Sequence, residues 1–297
     1  MGETRTSSKQ EAPATGSGDY AKFMILAEAR TGSTMLVRAL TSHPSIRCFG
    51  EVFNKMVPFV AFGVDGYDNF SARERTRRDR DFTSFLRERI YCSQPEEIRA
   101  VGFKTLYGQF WGFRGLLEHL VDDAEIRVLH LKRRNILRML VSLKMAQATG
   151  VWVEIGGSKF TLANLLRASR HPLRAASRLP RLLWPPKLVR QPLQKAPRIR
   201  VTVTKDELFK FIVKEKLTAT HYDDRLGAHP KLTLFYEDLL TQREKVFNQV
   251  QSFLGVEPRP LAITLRRQNP EPLRDLLENY DHLYEAYRNT PHAWMFD

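Results

Sequence analysis

KFMILAEARTGSTMLVRAL, residues 22–40, reads as strand, turn and helix in that order. Phe23 to Ala27 is a short, sharply bounded apolar run, the pattern of a buried strand. A polar turn follows, Ala29-Arg30-Thr31-Gly32-Ser33-Thr34, and from about Ser33 the residues Leu36, Val37 and Leu40 fall at helical spacing. This order gathers free backbone N–H groups and the positive end of a helix dipole at one spot, an arrangement that binds phosphate or sulfate. Gly32 permits close approach, and the Ser33 and Thr34 hydroxyls add donors. The nucleotide-triphosphatase loop places a lysine and a magnesium-holding hydroxyl after its last glycine. Here Ser33 follows Gly32, and the cation, Arg30, comes before it. A cradle with a cation but no metal apparatus suits an anion less charged than a triphosphate. The same residues also read as an ordinary strand-to-helix turn with Ser33 as its N-cap.

Outward from this unit, Ala100–Leu106, Ile126–Leu131 and Lys231–Tyr236 read as further strands. Helices are expected over Asp81–Tyr91, Gln109–Val121, Asn135–Ala148, Lys205–Leu226 and Pro272–Tyr287, with another running to Leu254 after Glu237-Asp238. Strands alternating with helices predict an α/β fold, a central parallel sheet flanked by helices. Residues 55–80 read as loop, and the aromatic stretch Cys48–Asn54 holds one acid, Glu51. Residues 1–19, rich in Ser, Thr, Gly and Pro, read as a disordered lead, and 20–297 as a single domain. A basic, proline-rich insertion at about 155–200 interrupts it: no acid occurs between Glu154 and Asp206, while arginines, lysines, leucines and Trp184 are interleaved. That composition suits contact with an anionic membrane or an acidic substrate, and suits a solvated insertion equally well.

The formal net charge of +14 points to polyanionic partners: nucleic acid, an anionic membrane surface or a phosphorylated cofactor. With only Cys48 and Cys92, the chain has neither a disulfide framework nor a cysteine metal cluster, which favours a reducing compartment. No apolar run reaches the length of a membrane span, and the first 19 residues lack the apolar core of a secretory signal. The expected setting is therefore cytoplasmic, with contact at a membrane edge and a homodimer both left open.

A second basic site follows the third strand: Lys132, Arg133 and Arg134, with Ser142 eight residues after Arg134. In open α/β sheets ligands bind beyond the carboxyl ends of strands, and an arginine fork with a hydroxyl can share one phosphate there. Three cations at a helix start oppose the dipole, so they call for a reason, and a bound anion is one.

With both sites in view the chain resembles the sulfotransferases that use 3′-phosphoadenosine 5′-phosphosulfate. The 5′-phosphosulfate loop of that family resembles Arg30-Thr31-Gly32-Ser33-Thr34, and its 3′-phosphate motif resembles Arg134-Asn135 with Ser142. Tyr236-Glu237-Asp238-Leu239, Phe253-Leu254-Gly255-Val256 and the run from Gln268 to Asn279 are similar to its C-terminal pattern. His43-Pro44-Ser45, Gly50-Glu51 and Val101-Gly102-Phe103-Lys104 resemble the bacterial and carbohydrate-type branch. The chain departs from the phenol and steroid branch, which has a loop lysine and a catalytic histidine. The resemblance implies a P-loop-like sulfotransferase fold and transfer of a sulfuryl group to a hydroxyl of a sugar, lipid or small molecule, without a metal. It implies that Arg30, Thr31, Gly32, Ser33 and Thr34 hold the 5′ end of the donor, and Arg134 and Ser142 its 3′-phosphate, with Arg266 or Arg267 closing over it.

An acceptor hydroxyl needs a base. Glu51 is the candidate, in an aromatic setting expected to raise its pKa toward neutrality; a surface acid or helix cap is the other reading. Arg30 would hold the sulfuryl and leaving-phosphate oxygens, and Lys104, at a strand end, would assist or be an ordinary lysine. Two rivals are a nucleotide kinase, weakened by the missing loop lysine, and a nucleic-acid-binding protein, for which no motif beyond the charge speaks.

Overall fold

The computed structural model describes residues 20–55, 71–155, 158–161, 199–263 and 269–297. Five strands form one parallel sheet: β1 (Ala21–Ala27), β2 (Ile46–Glu51), β3 (Ala100–Leu106), β4 (Arg127–Lys132) and β7 (Lys231–Phe235), in the order β2-β3-β1-β4-β7. A separate antiparallel hairpin pairs β5 (Val151–Ile155) with β6 (Ser158–Thr161). The α-helices are α1 (Ser33–Thr41), α2 (Ala72–Arg80), α3 (Phe82–Phe85), α4 (Leu116–Asp122), α5 (Ile136–Thr149), α6 (Lys205–Arg225), α7 (Tyr236–Thr241), α8 (Arg243–Leu254), α9 (Leu273–Leu276) and α10 (Tyr280–Tyr287).

β1 explains the layering. Its side chains alternate, and both faces are buried, which is why it reads as an unbroken apolar run. Met24 and Leu26 pack with Phe49, Phe103, Leu116 and Tyr222 on one side. Phe23, Ile25 and Ala27 pack with Leu36, Leu40, Phe247 and Leu254 of α1 and α8 on the other. A third cluster joins α5 and α6 to the C-terminal segment through Leu137, Leu208, Ile212, Leu283 and Phe296. Register aligns the carboxyl ends: Ala27 lies opposite Leu106 and Leu131, and Lys132 opposite Phe235. From β1 the chain crosses to the edge strand β2, returns to β3 beside β1 and then passes to β4 and β7 on the other side, so the connections diverge at β1 and a ligand crevice forms beyond its carboxyl end.

The structure departs from the sequence reading at several elements. β2 occupies Ile46–Glu51, a stretch not read as a strand. α2 lies inside the expected loop, held by a capping box between Ser71 and Glu74. The helix expected over Gln109–Val121 is instead a 3-10 helix, Tyr107–Gly112, and then α4, with Gly115 at positive φ between them. The expected helix over Asp81–Tyr91 becomes α3 and a π-helical turn, Leu86–Ile90. Likewise α7 and α8, and α9 and α10, are pairs where single helices were expected. Most of the basic insertion, Arg266 and Arg267 lie outside the described residues. Among the described residues no helix is long and apolar enough to cross a membrane.

Candidate active site

The loop between β1 and α1 is built by two left-handed residues. Gly32 has φ 85°, and Arg30 has φ 69°, the one non-glycine at positive φ among the described residues. A side chain tolerates that region poorly, so Arg30 is held there by its contacts. Its Nε donates to Ser142 Oγ at 3.0 Å, and its carbonyl accepts from Arg133 Nη1 at 2.9 Å. Thr31 Oγ1 donates to the Glu28 carbonyl at 2.7 Å, closing the turn. α1 starts at Gly32 with no side-chain cap and no acid in its first turn, so its N-terminal dipole faces the crevice uncompensated. Ser33 is buried in the helix start and does not cap it. The space beside Gly32 is taken by protein: a Cβ there would stand 2.4 Å from Tyr236 Cδ2.

Arg30 and Ser142, 112 residues apart, thus touch, and the loop and α5 share one site. Asn269 Nδ2 also reaches Ser142 Oγ, at 3.4 Å. The Arg133 guanidinium stacks over Tyr236 at 4.5 Å. Burial, then the Arg133 charge, pushes the Arg30 pKa down to about 10 despite Tyr236, which leaves it cationic at neutral pH. Two cations this close favour a bound anion.

On the other side of the loop, Lys104 of β3 donates to Thr34 Oγ1 at 2.9 Å and pairs with Glu51 Oε1 at 2.8 Å. Glu51 and Lys104 are register partners, at a point where β2 slips against β3 just after Phe49. The second oxygen, Glu51 Oε2, accepts from Gln109 Nε2 at 2.7 Å and Asn54 Nδ2 at 2.9 Å. The expected upward shift of Glu51 is corrected here. Burial does raise its pKa, but the Lys104 charge and the hydrogen bonds from Lys104, Asn54 and Gln109 outweigh it and hold the carboxyl below the usual range.

Arg134 lies elsewhere. Its guanidinium makes a bidentate pair with Asp238, at 2.7 and 2.8 Å, over the Phe235 ring, whereas Ser142 is taken by Arg30 and Asn269. Glu237 accepts from the Arg134 and Asn135 backbone N–H groups, at 3.1 Å each, and Lys132 pairs with Asp223. Acids brought from α6 and α7 therefore answer two of the three cations that called for a reason. Arg133, the middle one, is the residue that reaches the loop.

The sequence reading placed Arg133 in the second basic site without giving it a contact to the loop, and gave no site role to Tyr236, Gln109, Asn54 or Asn269. It also missed a buried relay under the 3-10 helix: Tyr107 Oη to His130 Nε2 at 2.5 Å, and His130 Nδ1 to Asp223 Oδ1 at 2.9 Å. Burial pushes the His130 pKa down to about 4, so the ring is neutral and accepts from Tyr107. The relay anchors the start of the helix that carries Gln109 to Glu51. Both contacts of the relay span more than 20 residues of chain, and no local pattern announces them.

The model of the Sulfotransferase family matches residues 23–260. The chain belongs to the sulfotransferase family. Two proteins named Nodulation protein H are similar to this family member along nearly their whole lengths. The one from Rhizobium tropici is 24% identical over 279 residues, covering 93% of this chain and 92% of the relative. The one from Rhizobium meliloti (strain 1021) is 25% identical over 283 residues, covering 93% and 94%. Among solved structures, a sulfotransferase from Alicyclobacillus acidocaldarius overlays with a TM-score of 0.45 at 15% identity, covering 93% of both chains. The sulfotransferase domain of the Synechococcus PCC 7002 olefin synthase gives 0.38 at 14%, covering 92% and 86%. Scores at that level do not bear on the site. In this sulfotransferase the matched span includes the Arg30 loop, Glu51, Lys104, Arg134 and Ser142, and ends before Asn269.

Proposed function

We propose that the protein transfers a sulfuryl group from 3′-phosphoadenosine 5′-phosphosulfate to a hydroxyl of a sugar, lipid or small-molecule acceptor. Family membership supports sulfuryl transfer, and the Arg30–Ser142 contact supports this donor. That contact, 3.0 Å long, brings the residues suited to the two ends of one nucleotide together. The donor set fits an anion of this kind: an uncapped helix start, Arg30, Arg133, Lys104 and two hydroxyls, on Ser33 and Thr34, with Thr31 closing the turn beneath them.

When bound, the donor supplies an activated sulfur whose bond to the phosphate oxygen breaks as the bond to the acceptor oxygen forms. The α1 N-terminus, Ser33 and Thr34 hold its 5′ end. Arg30 faces the charge that builds on the leaving phosphate oxygens and stays protonated throughout. Lys104, already bonded to Thr34 Oγ1, stands between the anion and Glu51. Glu51 is ionised and takes the acceptor proton at a carboxylate oxygen. Ser142 contributes to the 3′-phosphate site. Arg134 joins it by exchanging Asp238 for phosphate, and Arg266 or Arg267 completes it.

Thermal shift tests the reading. 3′-Phosphoadenosine 5′-phosphate without magnesium should raise Tm more than ATP with magnesium does. The reverse order would replace sulfuryl by phosphoryl transfer, and steeply salt-dependent DNA binding with no nucleotide effect would remove the enzyme reading altogether.

A further inference from the structure

The site above leaves one surface unexplained. On α6, Phe209, Val213 and Leu217 recur every four residues and are 60%, 38% and 67% exposed. They form one stripe on a single helix face, about 12 Å long at the α-helical rise. Leu217 also lines a groove of about 880 Å³ together with Phe110, Trp111, Phe113, Leu117 and Tyr222. Trp111, at 90% exposed, stands at its edge. Stripe and groove meet at Leu217; Phe110, Phe113 and Tyr222 are core residues that form the groove's wall, whereas Phe209, Leu217 and Trp111 expose apolar surface that packs on nothing in the fold.

Its charged border is mostly basic, although Glu118, paired with Arg225, also lines the groove and Asp206 lies exposed at the start of the stripe. Between Phe209 and Leu217 every exposed charged residue is a lysine: Lys210, Lys214 and Lys216. The one acid in that interval, Glu215, is buried. Lys210 pairs with Asp206, and Lys214 with Glu28 and Glu215, so Lys216 adds the net charge. Arg114 lies exposed beside Trp111.

We infer that this surface docks on an anionic lipid bilayer, with Trp111 and the α6 stripe in the headgroup layer and an acyl chain in the groove. Apolar side chains flanked by lysines, with a tryptophan at the edge, match a negatively charged interface. A second copy of the chain is disfavoured, because each carries a net charge of +14 and would set lysine against lysine. The acid-free segment 162–198, were it the occupant, would add positive charge to a mostly basic border, and is disfavoured for the same reason. A nucleic acid would leave the apolar stripe in water. The docked face adjoins the Arg30 loop, since Lys214 of α6 bonds Glu28 at the loop's start. The inference does not depend on which reaction the site performs.

Co-sedimentation of the full chain with phosphatidylcholine vesicles, with and without phosphatidylserine, tests it. The wild type should pellet with the anionic vesicles and stay in solution with the neutral ones. Phe209→Ser with Leu217→Ser should cut the bound fraction about tenfold while Tm stays unchanged, because both side chains are exposed. Brominated lipid in the anionic vesicles should quench tryptophan emission in the wild type and less in Trp111→Phe. Failure of the wild type to pellet, equal binding by the double variant, or quenching unchanged in Trp111→Phe would overturn the inference. So would a dimer in sedimentation velocity that the double variant abolishes without any vesicle binding.

Discussion

Two carboxylates flank the loop, and the protein treats them oppositely. Glu51, at the end of β2, faces a lysine and two side-chain amides, and its pKa falls despite burial. Glu215, on α6, shares Lys214 with a second carboxylate, Glu28. Burial, then the Glu28 charge, pushes it up to about 7. Burial acts the same way on both; the neighbours decide the outcome. A lysine with two amides keeps one acid ionised, whereas a lysine shared with a rival carboxylate leaves the other close to neutral. The raised carboxyl that the aromatic setting suggested at Glu51 exists in the molecule, but on α6.

That contrast is open to direct attack. Replacing Glu51 by Gln should give the largest effect, a fall in kcat of about a hundred- to ten-thousand-fold, read as sulfated product per unit time. Near-normal turnover, with collapse in Glu215→Gln instead, would exchange their roles. The pH profile sharpens the same point. A base works only when ionised, so the acid limb of kcat/KM should lie below the usual carboxylate range if Glu51 serves, and near 7 if Glu215 does.

Next in size, Lys104→Met should cost about 3–5 kcal/mol in urea unfolding at neutral pH, because Glu51 is left as an uncompensated buried charge. In the wild type the lowered Glu51 pKa contributes stability that is complete above the unfolded value and is lost as pH falls through the folded one. In Lys104→Met burial is opposed only by the Asn54 and Gln109 hydrogen bonds, so the loss of stability on acidification should shrink or reverse. A loss on acidification as in the wild type would show that Lys104 does not set the state of Glu51.

Gly32→Ala should cost about 1–3 kcal/mol, through the left-handed φ and the Tyr236 ring, with part recovered on adding Tyr236→Ala. Glu215→Gln should stabilise the protein modestly at pH 8 and not at pH 4. A carboxyl with a raised folded pKa holds a proton that the unfolded chain releases, so wild-type stability declines as pH rises from about 4.5 to about 7. Smallest should be the stability effect of Arg134→Ala, under about 1 kcal/mol for a largely solvated pair. Donor affinity in that variant should nevertheless fall by about 1.5–3 kcal/mol, measured by calorimetry. Unchanged affinity would leave Ser142, Arg30 and Arg133 as the 3′ side.

How much of this could be read from the chain depends on how local each signal is. β1, its turn and α1 are contiguous, so periodicity and composition carry them. The strand Ala100–Leu106 matches the expected range residue for residue for the same reason. β2 escaped because Arg47, Gly50 and Glu51 break its apolar pattern, and pairing with β3 is what makes it a strand. α2 escaped because ARERTRRDR has no apolar face to repeat; its capping box is the one local signal it carries.

Sequence by itself determined the strand-turn-helix unit, the alternating α/β order and most of the residues proposed to hold a sulfuryl donor, because each rests on neighbours a few positions apart. Tertiary structure alone decided that Arg133, not Arg134, meets the loop, that Tyr236 fills the space Gly32 leaves, and that Glu51 is clasped into its ionised form. Charge state and pairing depend on distances of a few ångströms between groups up to two hundred residues apart, and only the packed sheet and helices set those distances.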